Sequence, residues 1–308
     1  MDFSSYKESL KKKGWYFCMK EAWKRIWPLW WVRDPVIIDL IDERRAFHYL
    51  KRKYLPMLQQ FKEDETEATS IKDYSHTIWV CWLQGEENAP AIVKKCLNSI
   101  RKHSSGYEVV VVTNDNLGSL IEISQIITEK LRKKQMQFAT YSDYIRLALL
   151  AKYGGIWIDA TVFLSAPIPD KLTSQPLFCF KVPERSKTLT VASSWFIVAN
   201  PGNRIILQVK FLFEKYWEKE SHLCNYYLFH LFFALVVDFD EANRAMWRNV
   251  PFVCNHDEHM LLHRLFETFD AACYGDICNR TFAHKLSYKR KGNGNTDTYY
   301  DFILNSAE

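Results

Sequence analysis

Residues 138–161 read FATYSDYIRLALLAKYGGIWIDAT, and this stretch decides the fold. Phe138 to Tyr153 reads as a helix, and Gly154-Gly155 stops it, because one glycine can take the left-handed position just past a helix end. Ile156 to Asp159 then reads as a short strand ending on a carboxylate. A helix turned straight into a strand is the repeating step of an α/β sheet, where ligands sit beyond the carboxyl ends of the strands. That rule points to Asp159. On the preceding helix, Asp143 and Arg146 are three residues apart and share a face. Alone, that pair reads as a surface ion pair and Asp159 as a strand-end turn residue. Together, a carboxylate and a guanidinium beside a strand-end carboxylate suit a polyol ligand: Asp accepts from hydroxyls, and Arg donates to hydroxyls or phosphate.

The flanking sequence continues the alternation. His76 to Leu83 reads as a β-branched and aromatic strand, and Pro90 opens a helix to about His103. Glu108 to Thr113, with Val109 to Val112, has the continuous apolar character of a buried parallel strand. Short helical pieces follow to about Lys134. Leu177 to Val182 and Trp195 to Ala199 read as further strands. Helices are expected at about Asn203 to Lys219, Asn225 to Val237 and Asp257 to Phe269. The chain of 308 residues therefore reads as an α/β domain from 75 to 308, preceded by a helical region and linker over 1–74. That first region contains a helix from about Pro35 to Leu58 and a polar linker from Lys62 to Lys72.

Composition narrows the classes. The chain is 48% hydrophobic and 25% charged, close to globular averages, which excludes wholesale disorder. A net charge of +5 without a recognition motif argues against nucleic acid. None of the eight cysteines forms a CxxC pair, so no zinc or redox motif is signalled. The apolar run Tyr226 to Val237 contains His230 and is too short to span a bilayer. The N-terminus does not read as a secretory signal, and reduced thiols in a cytoplasmic protein are expected. Between Lys7 and Arg33, eight basic residues stand against Glu8 and Glu21, interleaved with Trp15, Trp23, Trp27, Trp30 and Trp31. Residues 7–33 thus read either as an interfacial helix on the inner face of an anionic membrane or as a helix packed by its Trp face.

The segments Tyr141-Ser142-Asp143-Tyr144-Ile145-Arg146 and Tyr153-Gly154-Gly155-Ile156-Trp157-Ile158-Asp159 resemble the signature of glycosyltransferases with a DxD motif. They are similar to the capsular polysaccharide synthesis and sugar-binding-DxD families, relatives of the yeast initiating mannosyltransferase and the clostridial glucosylating toxins. Thr77 to Gly85 with Pro90, and Ser193 to Ala199, resemble further parts of that pattern, which covers most of residues 76 to 200. The resemblance implies a GT-A fold, Rossmann-like and nucleotide-sugar-binding, with a helical N-terminal extension and a helical C-terminal part. It implies a nucleotide-sugar donor, expected to be a UDP-sugar, a divalent cation (Mn²⁺ or Mg²⁺), a saccharide or lipid-linked oligosaccharide acceptor, and retention of the anomeric configuration. Asp143 and Arg146 would contact the donor sugar, Asp159 would link donor and metal, and Trp79 would stack on or flank the base.

The motif departs from the family at Asp159-Ala160-Thr161, where the second carboxylate is a threonine. Thr161 is expected to reach the metal through water. Thr281 to Lys289 resembles the family's closing motif, so His284 is expected to complete the metal shell and Lys285 to contact the diphosphate, with Lys289 and Arg290 adding charge. A solvated basic tail is the other reading of this segment. Gly292 to Asn295 reads as a mobile loop or lid, and His256 to His259 as a helix start. The competing classes are a non-catalytic nucleotide-sugar-binding module and a membrane-surface scaffold.

Overall fold

Ile78, Trp79 and Val80 are fully buried, as are Trp157 and Ile158, so these short apolar runs form the middle of the sheet. In the computed structural model, which describes residues 34–61, 76–183, 186–292 and 294–306, the strands are β1 (Thr77–Cys81), β2 (Glu108–Val112), β3 (Gly155–Ile158), β4 (Val162–Leu164), β5 (Leu177–Lys181), β6 (Ala192–Ala199) and β7 (Ala283–Lys285). The main sheet has the order β2-β1-β3-β6-β5. β1 runs parallel to β2 and β3, whereas β6 is antiparallel to both of its neighbours. This is the α/β class expected, with helices carrying the crossovers. The carboxyl ends of β1 and β3 and the amino end of β6 share one edge of the sheet.

β2 corrects one expectation. It is an edge strand, and Val109 to Val111 are only half-buried because a single neighbour covers it. The helix Phe138–Tyr153 is buried along most of its length and ends at Gly154, whose φ of +65° turns the chain directly into β3. A Cβ there would sit 2.5 Å from Pro201 and 2.7 Å from the Ala199 carbonyl, so glycine is required by both conformation and space.

The helix Pro35–Lys53 stops short of the expected Leu58. Pro56 cannot continue it, and a 3₁₀ turn spans Leu55–Gln60. This segment packs on the domain through Tyr54, whose ring meets Tyr216 and Phe232 and whose hydroxyl donates to Glu220 at 2.7 Å. Residues 1–33 and 62–75, including the basic Trp-rich stretch and the linker, lie outside the described residues.

The C-terminal part is helical, with Arg204–Lys219, Leu228–Val237, Glu241–Asn249, Ala271–Arg280 and Tyr299–Asn305. The helix expected over Asp257 to Phe269 is instead a 3₁₀ turn, Asp257–His259, and one short helix, Met260–Arg264. Thr268 leaves that path to bridge Thr298. A second, two-stranded sheet pairs β4 with β7 in the register Val162↔Lys285 and Phe163↔His284.

Candidate active site

Asp159 leaves β3 at the shared edge. Its backbone N–H donates to the Trp195 carbonyl at 2.9 Å, which holds the residue at the first position past the strand. Three donors converge on its carboxylate. Arg146 Nη2 and Trp157 Nε1 each reach Oδ1 at 2.9 Å, and Lys285 Nζ reaches Oδ2 at 2.7 Å. Arg146 also donates from Nη1 to Asp143 Oδ1 at 2.6 Å. Its guanidinium carbon lies 4.9 Å from the centre of the Trp157 ring, a cation–π contact that fixes the plane of the fork. Asp143, Arg146, Asp159 and Lys285 therefore form one continuous chain of alternating charge.

This chain lines a cleft of about 340 Å³ at the carboxyl ends of β1 and β3. Arg146 is only 4% exposed, while Asp143 and Asp159 reach solvent at 19% and 24%. Burial pushes the Asp143 carboxyl up to about 6; Arg146 opposes this and Asp159 adds to it. Burial acts the same way on Asp159, but Lys285 and then Arg146 outweigh it and hold that carboxyl far below the usual range. One carboxylate is fixed as an anion, and the other titrates near neutrality. Burial also lowers His230 to about 4, so the imidazole that faces the cleft is neutral. Among the lining side chains, Arg146, Lys285 and Lys289 stand against Asp143 and Asp159. The excess charge is positive, as an anionic ligand requires.

Several sequence expectations are relocated. Trp79 is fully buried, stacks on Tyr153 and donates from Nε1 to the Gly154 carbonyl, so it supports the sheet and does not line the cleft. The tryptophans that line the cleft are Trp157 and Trp82, the latter one residue past the end of β1. Sequence reasoning chose the ring inside the strand, where both faces are covered. The better signal was the position after the last paired residue, at the carboxyl edge. His284 is also fully buried, with Nε2 2.8 Å from Ser165 Oγ. Alternation along β7 turns it away from the cleft and turns Lys285 in.

The segment 256–259 lies away from the cleft. Its Glu258 is buried, accepts from Thr281 Oγ1 at 3.0 Å and is pushed up to about 7 by burial. Arg290 donates to the Leu262 carbonyl and is not a lining residue. Of the Gly292–Asn295 loop, Asn293 lies outside the described residues and the other three do not line the cleft. Missed altogether were Phe138, Tyr226 and Tyr288, which line the cleft and are 64%, 64% and 43% exposed. Only an exposed aromatic in a folded chain identifies such residues; in sequence they look like core.

The divalent cation that the resemblance implies would need several hard oxygen ligands gathered at one point. Asp159 and Thr161 converge, but on an ammonium: Lys285 Nζ lies 2.7 Å from Asp159 Oδ2 and 2.6 Å from Thr161 Oγ1. Among the described residues, no three His, Cys, Asp or Glu side chains gather to hold a metal ion. Asp159 is already shared by two cations, Asp143 is taken by Arg146, and Thr161 adds only a neutral hydroxyl, a set that does not fit a resident divalent ion.

The sequence model of the family described as "Capsular polysaccharide synthesis protein" matches residues 24–303, nearly the whole chain. The chain belongs to the capsular polysaccharide synthesis protein family. The family resemblance read from residues 141–159 is borne out, and the expected transferase class has the support of the relatives' names. One relative of this chain is the O-glycosyltransferase braB of Annulohypoxylon truncatum, 26% identical over 167 residues, covering 49% of this chain and 39% of that one. Another is Subversion of eukaryotic traffic protein A of Legionella pneumophila subsp. pneumophila, 22% identical over 166 residues, 46% of this chain and 25% of that one. The chain thus spans well under half the length of these curated relatives. A solved structure, PaToxG Glycosyltransferase, aligns with a TM-score of 0.38 and 14% identity, covering 79% of this chain and 95% of that one.

Proposed function

We propose that this protein is a glycosyltransferase that moves a hexose from a nucleotide sugar, most simply a UDP-sugar, to a saccharide acceptor in capsule-type polysaccharide synthesis, with retention at the anomeric carbon. The observation that carries this reading is the Asp143–Arg146–Asp159–Lys285 chain at the carboxyl edge of an α/β sheet, in a member of this family. Its cations and carboxylates match the two ends of a nucleotide sugar. Arg146, held by two carboxylates and by Trp157, cannot swing, so it offers fixed N–H donors to sugar or phosphate oxygens. Asp143 as a carboxylate accepts from a sugar hydroxyl and orients the ring. Lys285 and Lys289 face the charge that develops on the leaving diphosphate. Trp82, which lines the cleft one residue past β1, offers a ring to a base.

Phe138, Tyr226 and Tyr288 at the cleft favour a saccharide acceptor, because the apolar faces of sugar rings stack on exposed aromatic rings. A lipid-linked oligosaccharide is the acceptor that would also give a use to residues 7–33. The test is release of nucleoside diphosphate from UDP-, GDP- and CMP-sugars by purified protein. Turnover of one donor is the expected result. Lipid binding with no nucleotide-sugar binding would replace this reading with the scaffold.

A further inference from the structure

The Asp159–Thr161 pair grips a lysine ammonium at the position where the resemblance sets a metal. We infer that Lys285, with Lys289 also lining the cleft, is the site's built-in cation, and that this protein binds the diphosphate of its donor without a divalent ion. The inference rests on the glycosyltransferase reading above and deepens it.

Three observations support it. The first is occupancy of the position. Lys285 Nζ is 2.7 Å from Asp159 Oδ2 and 2.6 Å from Thr161 Oγ1. A divalent ion binds carboxylate oxygens at roughly 2.0–2.6 Å, so it and the ammonium would contend for the same oxygens as like charges a few ångströms apart. The second is the register of the small sheet. Val162↔Lys285 and Phe163↔His284 pairing sends the lysine into the cleft and buries the imidazole beside Ser165, where it is fully covered. A slip of one residue would exchange the two side chains, so the presented charge is built into the fold. The third is hydrogen-bond capacity. An ammonium has three N–H donors, and Asp159 and Thr161 engage two. The third is left for a phosphate oxygen, and Lys285 is 21% exposed, enough to be reached from the cleft.

The charge argument agrees. Two lysines bring the same formal +2 as Mg²⁺ or Mn²⁺, on side chains that need no carboxylate cage. The replacement of the second motif carboxylate by Thr161 then has a physical reason. A second anion is needed to hold a 2+ ion, but it would trap the ammonium and weaken its pull on phosphate.

The test is calorimetric titration of the full chain with UDP, and with GDP in parallel, first in EDTA and then with Mn²⁺. The expected result is binding in EDTA that changes by less than about twofold when Mn²⁺ is added, and about tenfold weaker binding in Lys285→Met. Lys285→Arg, which keeps the charge, is the second variant in case the methionine variant fails to fold, and it should retain binding in EDTA that Mn²⁺ does not restore or enhance, as in the wild type. Binding that appears only with Mn²⁺, or is unchanged in Lys285→Met, overturns the inference and leaves the glycosyltransferase reading standing. Binding of neither nucleotide in either buffer overturns both.

Discussion

Asp143 and Asp159 lie at opposite ends of one guanidinium, and their environments drive them apart. The Asp143 carboxyl is pushed up to about 6, so its charged form builds as pH rises through that value. If the carboxylate holds a sugar hydroxyl, kcat/KM falls as pH drops below about 6, and Asp143→Asn removes that limb of the profile. The stability linkage runs the other way. A raised carboxyl favours the folded state below its ordinary value of 3.8, and the contribution is lost as pH rises through about 6. Asp143→Asn should therefore flatten the pH dependence of Tm between those values while it abolishes the kinetic limb. Asp159 is different, because it is the counter-ion of two cations. Asp159→Asn leaves Lys285 without its acid partner and Arg146, 4% exposed, with Asp143 alone. We expect a loss of about 3 kcal/mol in urea unfolding at pH 7, the low end for breaking a recessed ion pair, since Asp143 still serves Arg146.

At the scale of elements, the turn from the helix Phe138–Tyr153 into β3 sets the position of every group in the chain of charge. Gly154→Ala places a Cβ 2.5 Å from Pro201 at a φ of +65°, and we expect a loss of about 2–4 kcal/mol read by the denaturation midpoint. Activity should fall with it, because Asp159 lies only five residues on. This turn was legible in the sequence: a helical run, two glycines and a short apolar strand leave few alternatives. So were Asp143, Arg146 and Asp159, which local spacing brings to one edge. The small sheet was not legible. β4 and β7 are three residues each and 121 residues apart at the Phe163↔His284 pair, so no local pattern announces their pairing. Hence Lys285 was named for its charge, while its pairing with Asp159 and Thr161, and the turn of His284 away from the cleft, came only with the fold. The helix expected over Asp257 to Phe269 failed for a related reason: a long-range Thr268–Thr298 bridge overrides the local amphipathic pattern.

For the whole molecule, the charge is unevenly placed. The helix Pro35–Lys53 exposes Arg44, Arg45, Lys51 and Arg52, next in sequence to the basic residues 7–33. No helix among the described residues is long and apolar enough to cross a membrane. The account therefore expects co-sedimentation with anionic lipid vesicles that weakens as salt rises. Deletion of residues 7–33 should abolish it, and binding unchanged by that deletion would remove the membrane contact from the account. The family assignment and the cleft are independent of this outcome.

The central claim is that the chain of charge at the sheet edge performs the transfer. Its most direct test compares turnover of the preferred nucleotide sugar in the wild type with Asp143→Ala and Arg146→Ala, with far-UV circular dichroism and Tm measured alongside. The account expects kcat to fall at least about a hundredfold in each variant while helix content is kept, since both groups act on the reacting sugar. Folded variants that turn over the donor at the wild-type rate would contradict it and move the active site elsewhere in the molecule.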